Sequence, residues 1–147
     1  MRIILSEIST LLIASAFAFT PGAMNAQTRD AAFGPANPFC APSTLPFHAP
    51  PFDKIKDSDY QPAIEAGIAQ KIEETRAIAD NLAAPTFENT FVALEKSGRL
   101  IDRVMGVFNE VTGANINPVL QAVQDAEAPK LAAMQDAIYL NPKLFQR

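Results

Sequence analysis

Thr86-Phe-Glu-Asn-Thr-Phe-Val-Ala-Leu-Glu-Lys-Ser-Gly-Arg-Leu-Ile-Asp-Arg-Val-Met-Gly-Val-Phe-Asn-Glu-Val-Thr112 is the stretch whose reading decides the fold. Phe87, Phe91, Leu94, Gly98, Ile101, Met105, Phe108 and Thr112 recur in steps of four and three without a phase break, which is the period of one helical face. The register survives Gly98, so the spacing predicts a single helix over about 87–112, with Thr86 as its cap and a length of roughly 40 Å. Leu100, Val104, Val107 and Val111 add a second apolar stripe over the latter half, and so wide a face asks for neighbours on more than one side. Glu95 and Arg99 fall i,i+4 on the solvent face, a pair worth only tenths of a kcal/mol.

The flanking segments read as helix too. Ser58 with Gln61 three residues on has the form of a capping box, and Pro62 is tolerable in a first turn. Tyr60, Ile64, Ile68 and Ile72 then repeat every fourth residue, predicting an amphipathic helix to about Ala79. Asn81 to Pro85 and Gly113 to Asn117 read as turns. Asn117-Pro118 is a cap followed by the favoured first-turn proline, and Asn141-Pro142 repeats it. Val119, Leu120, Val123, Leu131, Met134 and Ile138 mark a third helix that Pro129 is expected to kink or break. Leu144-Phe145 open a fourth pattern one turn before Arg147, so the sequence looks truncated. Neither strand-like alternation nor a solenoid repeat appears; the fold class is all-α.

Upstream, six prolines fall between Pro35 and Pro51, with Phe33, Phe39, Phe47 and Phe52 among them. Proline forbids a helix there, and four buriable rings suggest an extended arm packed along a globular body. Before it, Met1-Arg2, an apolar run from Ile8 to Phe19, Pro21-Gly22 and Ala26 resemble an export signal, too short for a membrane span of about 20 residues. The expected organisation is a signal over 1–26, a Pro/Phe-rich arm over 27–57 and a helical lobe over 58–147. A periplasmic or secreted location follows, with no membrane contact after cleavage. An unpaired Cys40 is tolerable there if buried.

Composition narrows function further. A net charge of −4 lacks the basic footprint that phosphate neutralisation needs, so nucleic acid is not an expected partner. His48 is the only histidine and Cys40 the only cysteine, which excludes an internal disulfide and a zinc site of the H-E-x-x-H kind within this chain. A Cys40–His48 nucleophilic pair would have to be held rigid by a proline-rich arm, a poor scaffold for it. Asp53, Asp57 and Asp59 lack the central Gly and distal Glu of a calcium loop. Glu73 and Glu74 are adjacent and diverge by about 100° on a helix, so they are no catalytic carboxylate pair. No residue is therefore assigned a catalytic, cofactor-binding or metal-ligating role.

As text, Asn37-Pro-Phe-Cys-Ala-Pro-Ser-Thr-Leu-Pro-Phe-His-Ala-Pro-Pro-Phe-Asp-Lys-Ile-Lys56 resembles the start of the mature chain in exported bacterial peptidyl-dipeptidases. Pro85 to Leu100, Ala128 to Ala133 and Tyr139 to Phe145 resemble later segments of the same proteins, in the same order. These are the zinc oligopeptidases that include thimet oligopeptidase, oligopeptidase A and dipeptidyl carboxypeptidase. Ser-Gly-x-Leu-Ile-x-Arg-Val over Ser97–Val104 is closer to the last branch. The resemblance implies an almost wholly helical, two-lobed enzyme around a deep channel, whose zinc sits on an H-E-x-x-H helix and a later Glu. It implies release of C-terminal dipeptides from short peptides. Residues 58–147 would belong to the N-terminal lobe, inactive without the missing C-terminal catalytic lobe. A free-standing secreted helical module acting by binding is the alternative from a different class.

Overall fold

The computed structural model describes residues 33–147. The expected signal over 1–26 lies outside them. Five helices follow a short 3-10 turn at Pro46–His48: α1 (Asp57–Ala79), α2 (Ala93–Lys96, entered through a π-helical turn at Glu88–Val92), α3 (Arg99–Asn115), α4 (Pro118–Tyr139) and α5 (Pro142–Gln146). No strand occurs among the described residues, and the chain is all-α.

α1 is the spine, packed against α3 on one side and α4 on another. Its buried line runs Tyr60, Ile64, Gly67, Thr75 and Ala79, close to the predicted stripe but turned slightly, so that Ile68 and Ile72 are only half-buried. At Gly67 the two helices approach so closely that an added Cβ would lie 2.9 Å from the backbone N and Cα of Ile101. The core unites Ile64 with Leu100, Ile101, Val104, Val107 and Phe108 of α3 and Leu120 and Val123 of α4. Each large side chain buried there stabilises the fold by about 1.5–3 kcal/mol.

The single long helix expected over 87–112 is two. Ser97 is extended (ψ 152°) and Gly98 left-handed (φ 79°), and the chain starts α3 afresh at Arg99. Two α1 side chains hold the break. Lys71 Nζ donates to Ser97 O at 2.9 Å and to Ser97 Oγ at 3.0 Å, and Glu74 Oε2 accepts from the Gly98 N–H at 2.7 Å. These charge-assisted bonds satisfy backbone groups that an unbroken helix would have paired internally. α3 is therefore about 25 Å long. It runs past the expected turn at Gly113 to Asn115, and Glu95 and Arg99, now across the break, form no ion pair.

Capping follows the sequence in three places. Thr86 and Asn89 bond reciprocally, each backbone N–H to the other's side-chain oxygen, at 2.9 and 3.1 Å. Asn117 Oδ1 accepts from the N–H groups of Val119 and Leu120, and Asn141 Oδ1 from those of Lys143 and Leu144. Elsewhere the expectation fails. α1 is capped not by Ser58 but at Lys56, whose N–H donates to Asp59 Oδ2 at 2.8 Å. Pro62 is thus the sixth residue of α1, beyond the first turn. Pro129 does not break α4: it is exposed, and the Asp125 carbonyl it leaves without an amide partner belongs to an exposed residue that water can serve.

The arm packs in part, as four buriable rings suggested. Phe39 is buried and meets Tyr60 at 5.4 Å between ring centres; Tyr60 in turn meets Phe108 at 5.2 Å. Asn37 Nδ2 donates to Asp59 O and Arg103 Nη2 to Phe39 O, pinning the backbone on both sides of the ring. Phe33 is half-buried, but Phe47 and Phe52 are exposed. Among the described residues no helix is long and apolar enough to cross a membrane.

Candidate functional site

Reactive side chains are few, and the fold keeps them apart. Cys40 is exposed, not buried as its tolerance outside the cell was expected to need. It lines an open cleft of about 500 Å³ with Pro35, Pro42, Leu45, Pro51 and Lys54, and His48 is not part of that lining. The His48 ring bonds instead to Ser43, with Nδ1 2.8 Å from its carbonyl oxygen. Phe47 and His48 both have positive φ (59° and 55°), so the arm makes a tight local turn there, and no Cys–His dyad forms.

The carboxylates have structural partners. Asp57 Oδ2 accepts from Asn117 Nδ2 at 2.8 Å and so ties the starts of α1 and α4 together, and Asp59 caps α1. Glu73 is exposed, whereas Glu74 turns inward to Gly98. Among the described residues no group of three or more His, Cys, Asp or Glu side chains is placed to hold a metal ion. The described donor set therefore does not fit zinc.

One polar cluster escaped the sequence reading. Glu127 of α4 is 1% exposed; its Oε1 accepts from Lys130 Nζ at 2.8 Å, and Lys130 also pairs with Glu65 of α1. The hydrogen bond to Glu127, then that to Glu65, raises the Lys130 pKa above its ordinary 10.5. Glu127 Oε2 has no protein partner. A signal was present: Leu120, Val123, Glu127, Leu131, Met134 and Ile138 are one helical series, and a glutamate stands in its apolar phase. Lys71 falls in the phase of the α1 buried line, where it is half-buried.

A second feature is an exposed aromatic pair beside a slot. Phe87 and Phe91, whose period matches the core of α3, are 73% and 64% exposed and stack on each other with centres 5.6 Å apart. They line a slot of about 390 Å³ with Val92, Glu95, Lys96 and Arg99.

No protein-family model matches the chain. Among curated proteins, the dipeptidyl carboxypeptidase of Salmonella typhimurium (strain LT2) is 48% identical over 111 residues, which is 76% of this chain and 16% of that protein. The dipeptidyl carboxypeptidase of Escherichia coli (strain K12) is 46% identical over 111 residues, with the same coverage. The chain thus spans about one sixth of the length of the curated relatives it matches. With near-half identity sustained over three quarters of its residues, the chain belongs to the dipeptidyl carboxypeptidase family.

Proposed function

We propose that this chain is a helical wall segment, from the N-terminal lobe, of an exported zinc-dependent peptidyl-dipeptidase that releases C-terminal dipeptides from short peptides. Its role there is architectural: α1, α3 and α4 form a rigid packed body that helps to bound a channel and restrict what enters it. The catalytic groups and metal ligands belong to the remainder of the enzyme, because the described residues offer no ligand set that fits zinc and no paired nucleophile and base. By itself the chain is inactive.

The observation that carries this reading is 48% identity over 111 residues to a dipeptidyl carboxypeptidase. Export rests on the residues of 1–26 alone. The test is the coding DNA beyond the Arg147 codon. A continuing frame that encodes H-E-x-x-H supports the reading; a stop codon with no downstream remnant of the family counts against it.

A further inference from the structure

The apolar period that runs through residues 87–112 is divided by the fold at Ser97–Gly98. Beyond the break, Leu100, Ile101, Val104, Val107 and Phe108 are buried against α1 and α4. Before it, Phe87 and Phe91 carry the same period into solvent, stacked on each other and both largely exposed. The Lys71 and Glu74 clamp fixes that division by holding the break from α1.

The slot beside the two rings has a rim of mixed charge. Arg99 and Glu95 both line it, both are exposed, and neither forms an ion pair among the described residues; Lys96 lies only 3.9 Å from Glu88. An aromatic floor with one unpaired cation and one unpaired anion at its edge has the layout of a protein contact: an apolar centre and a polar rim. It suits neither a phosphate-rich ligand nor a membrane surface, each of which asks for charge of one sign.

We propose that the Phe87–Phe91 slot is the surface on which this segment docks against the remaining body of the peptidase, which supplies an apolar face and charges complementary to Arg99 and Glu95. The inference rests on the reading given under Proposed function. The occupant follows from length: the curated relatives carry this segment as about one sixth of a much longer chain.

The experiment grafts this chain's matched residues into the Salmonella dipeptidyl carboxypeptidase in place of its own, with and without Phe87→Ser/Phe91→Ser. Two readouts are followed: dipeptide release and the rate at which trypsin excises the segment. The expected result is an active parent graft and, in the double variant, excision at least about tenfold faster, since cleavage tracks the population of the undocked state. In the isolated 147-residue chain the same substitutions should leave helical circular dichroism unchanged and lower dye binding, because both rings are already exposed. An active graft indifferent to the double substitution overturns the docking surface and leaves the family reading standing. An inactive parent graft counts against that reading, and the docking surface falls with it. If the isolated chain sediments as a dimer that the double substitution dissociates, the slot serves a second copy and the proposal is wrong.

Discussion

Gly98→Ala separates the broken helix from the continuous one that the periodicity suggests, because the two give opposite signs. At φ 79° and ψ 22°, alanine must adopt the left-handed region, at a cost of about 1–2 kcal/mol. Its Cβ would also lie 3.0 Å from Lys71 Cε and Nζ and closer still to Cδ, so the lysine has to move. Moving it draws Nζ away from Ser97 O and Ser97 Oγ. Bonds of this charged kind contribute about 1.5–3 kcal/mol each when intact. Lys71 is half-buried and can regain part of that from water, so about 1–2 kcal/mol is a fair share of the loss. The sum is a destabilisation of about 2–4 kcal/mol. The control is Gly106→Ala in α3, where a Cβ meets nothing within 4 Å. That change should stabilise by about 0.4–1 kcal/mol, as Gly→Ala does at compatible helical sites. Urea unfolding of the purified chain, followed by far-UV circular dichroism, measures both. If Gly98→Ala stabilises to the same degree as Gly106→Ala, the helix runs through and the account of the Lys71–Glu74 clamp is wrong.

Two further outcomes follow from the packing and the titrating groups. Gly67→Ala places a methyl group 2.9 Å from the Ile101 backbone, which cannot swing aside, and should cost about 2–3 kcal/mol in the same unfolding assay; a loss under 1 kcal/mol would mean that α1 and α3 separate without penalty. Tyr60 is raised above 10.0 by burial and then by Asp57 and Asp59, and Lys130 above 10.5 chiefly by its bond to Glu127. Both folded values exceed the unfolded ones, so the stability these groups contribute is complete below about pH 10 and is lost as pH rises through the folded values. The urea midpoint should fall in that alkaline range, and Tyr60→Phe should flatten the fall; an equally steep decline in Tyr60→Phe would exclude Tyr60 from it.

Local chemistry read true where one side chain serves one backbone group. Thr86, Asn117 and Asn141 were recognisable as caps because their short oxygens reach orphan N–H groups within three residues. The break at Gly98 was not recognisable, since its cause is 24–27 residues away on α1. Only a folded neighbour can show that Lys71 and Glu74 stabilise an extended Ser97 over a helical one. Pro129 was expected to kink or break α4, and the break does not occur: the cost of a lost helical bond depends on whether the orphaned carbonyl meets solvent, and Asp125 stands on the exposed face. The arm lay between these cases. Its rings announced packing, but nothing local distinguished Phe39, which enters the core, from Phe47, which does not. The site followed the same logic. A single His48 and a single Cys40 ruled out an internal disulfide and an H-E-x-x-H motif by arithmetic, whereas Glu127 and the Phe87–Phe91 slot acquire meaning only once burial is known.

The proposed role is to shape a peptidase without carrying its chemistry. Dipeptide release from a short N-terminally blocked peptide, assayed with the purified 147-residue chain in the presence of zinc, tests it most directly. No dipeptide should form above the buffer control. Release of C-terminal dipeptides by the chain alone would contradict the account.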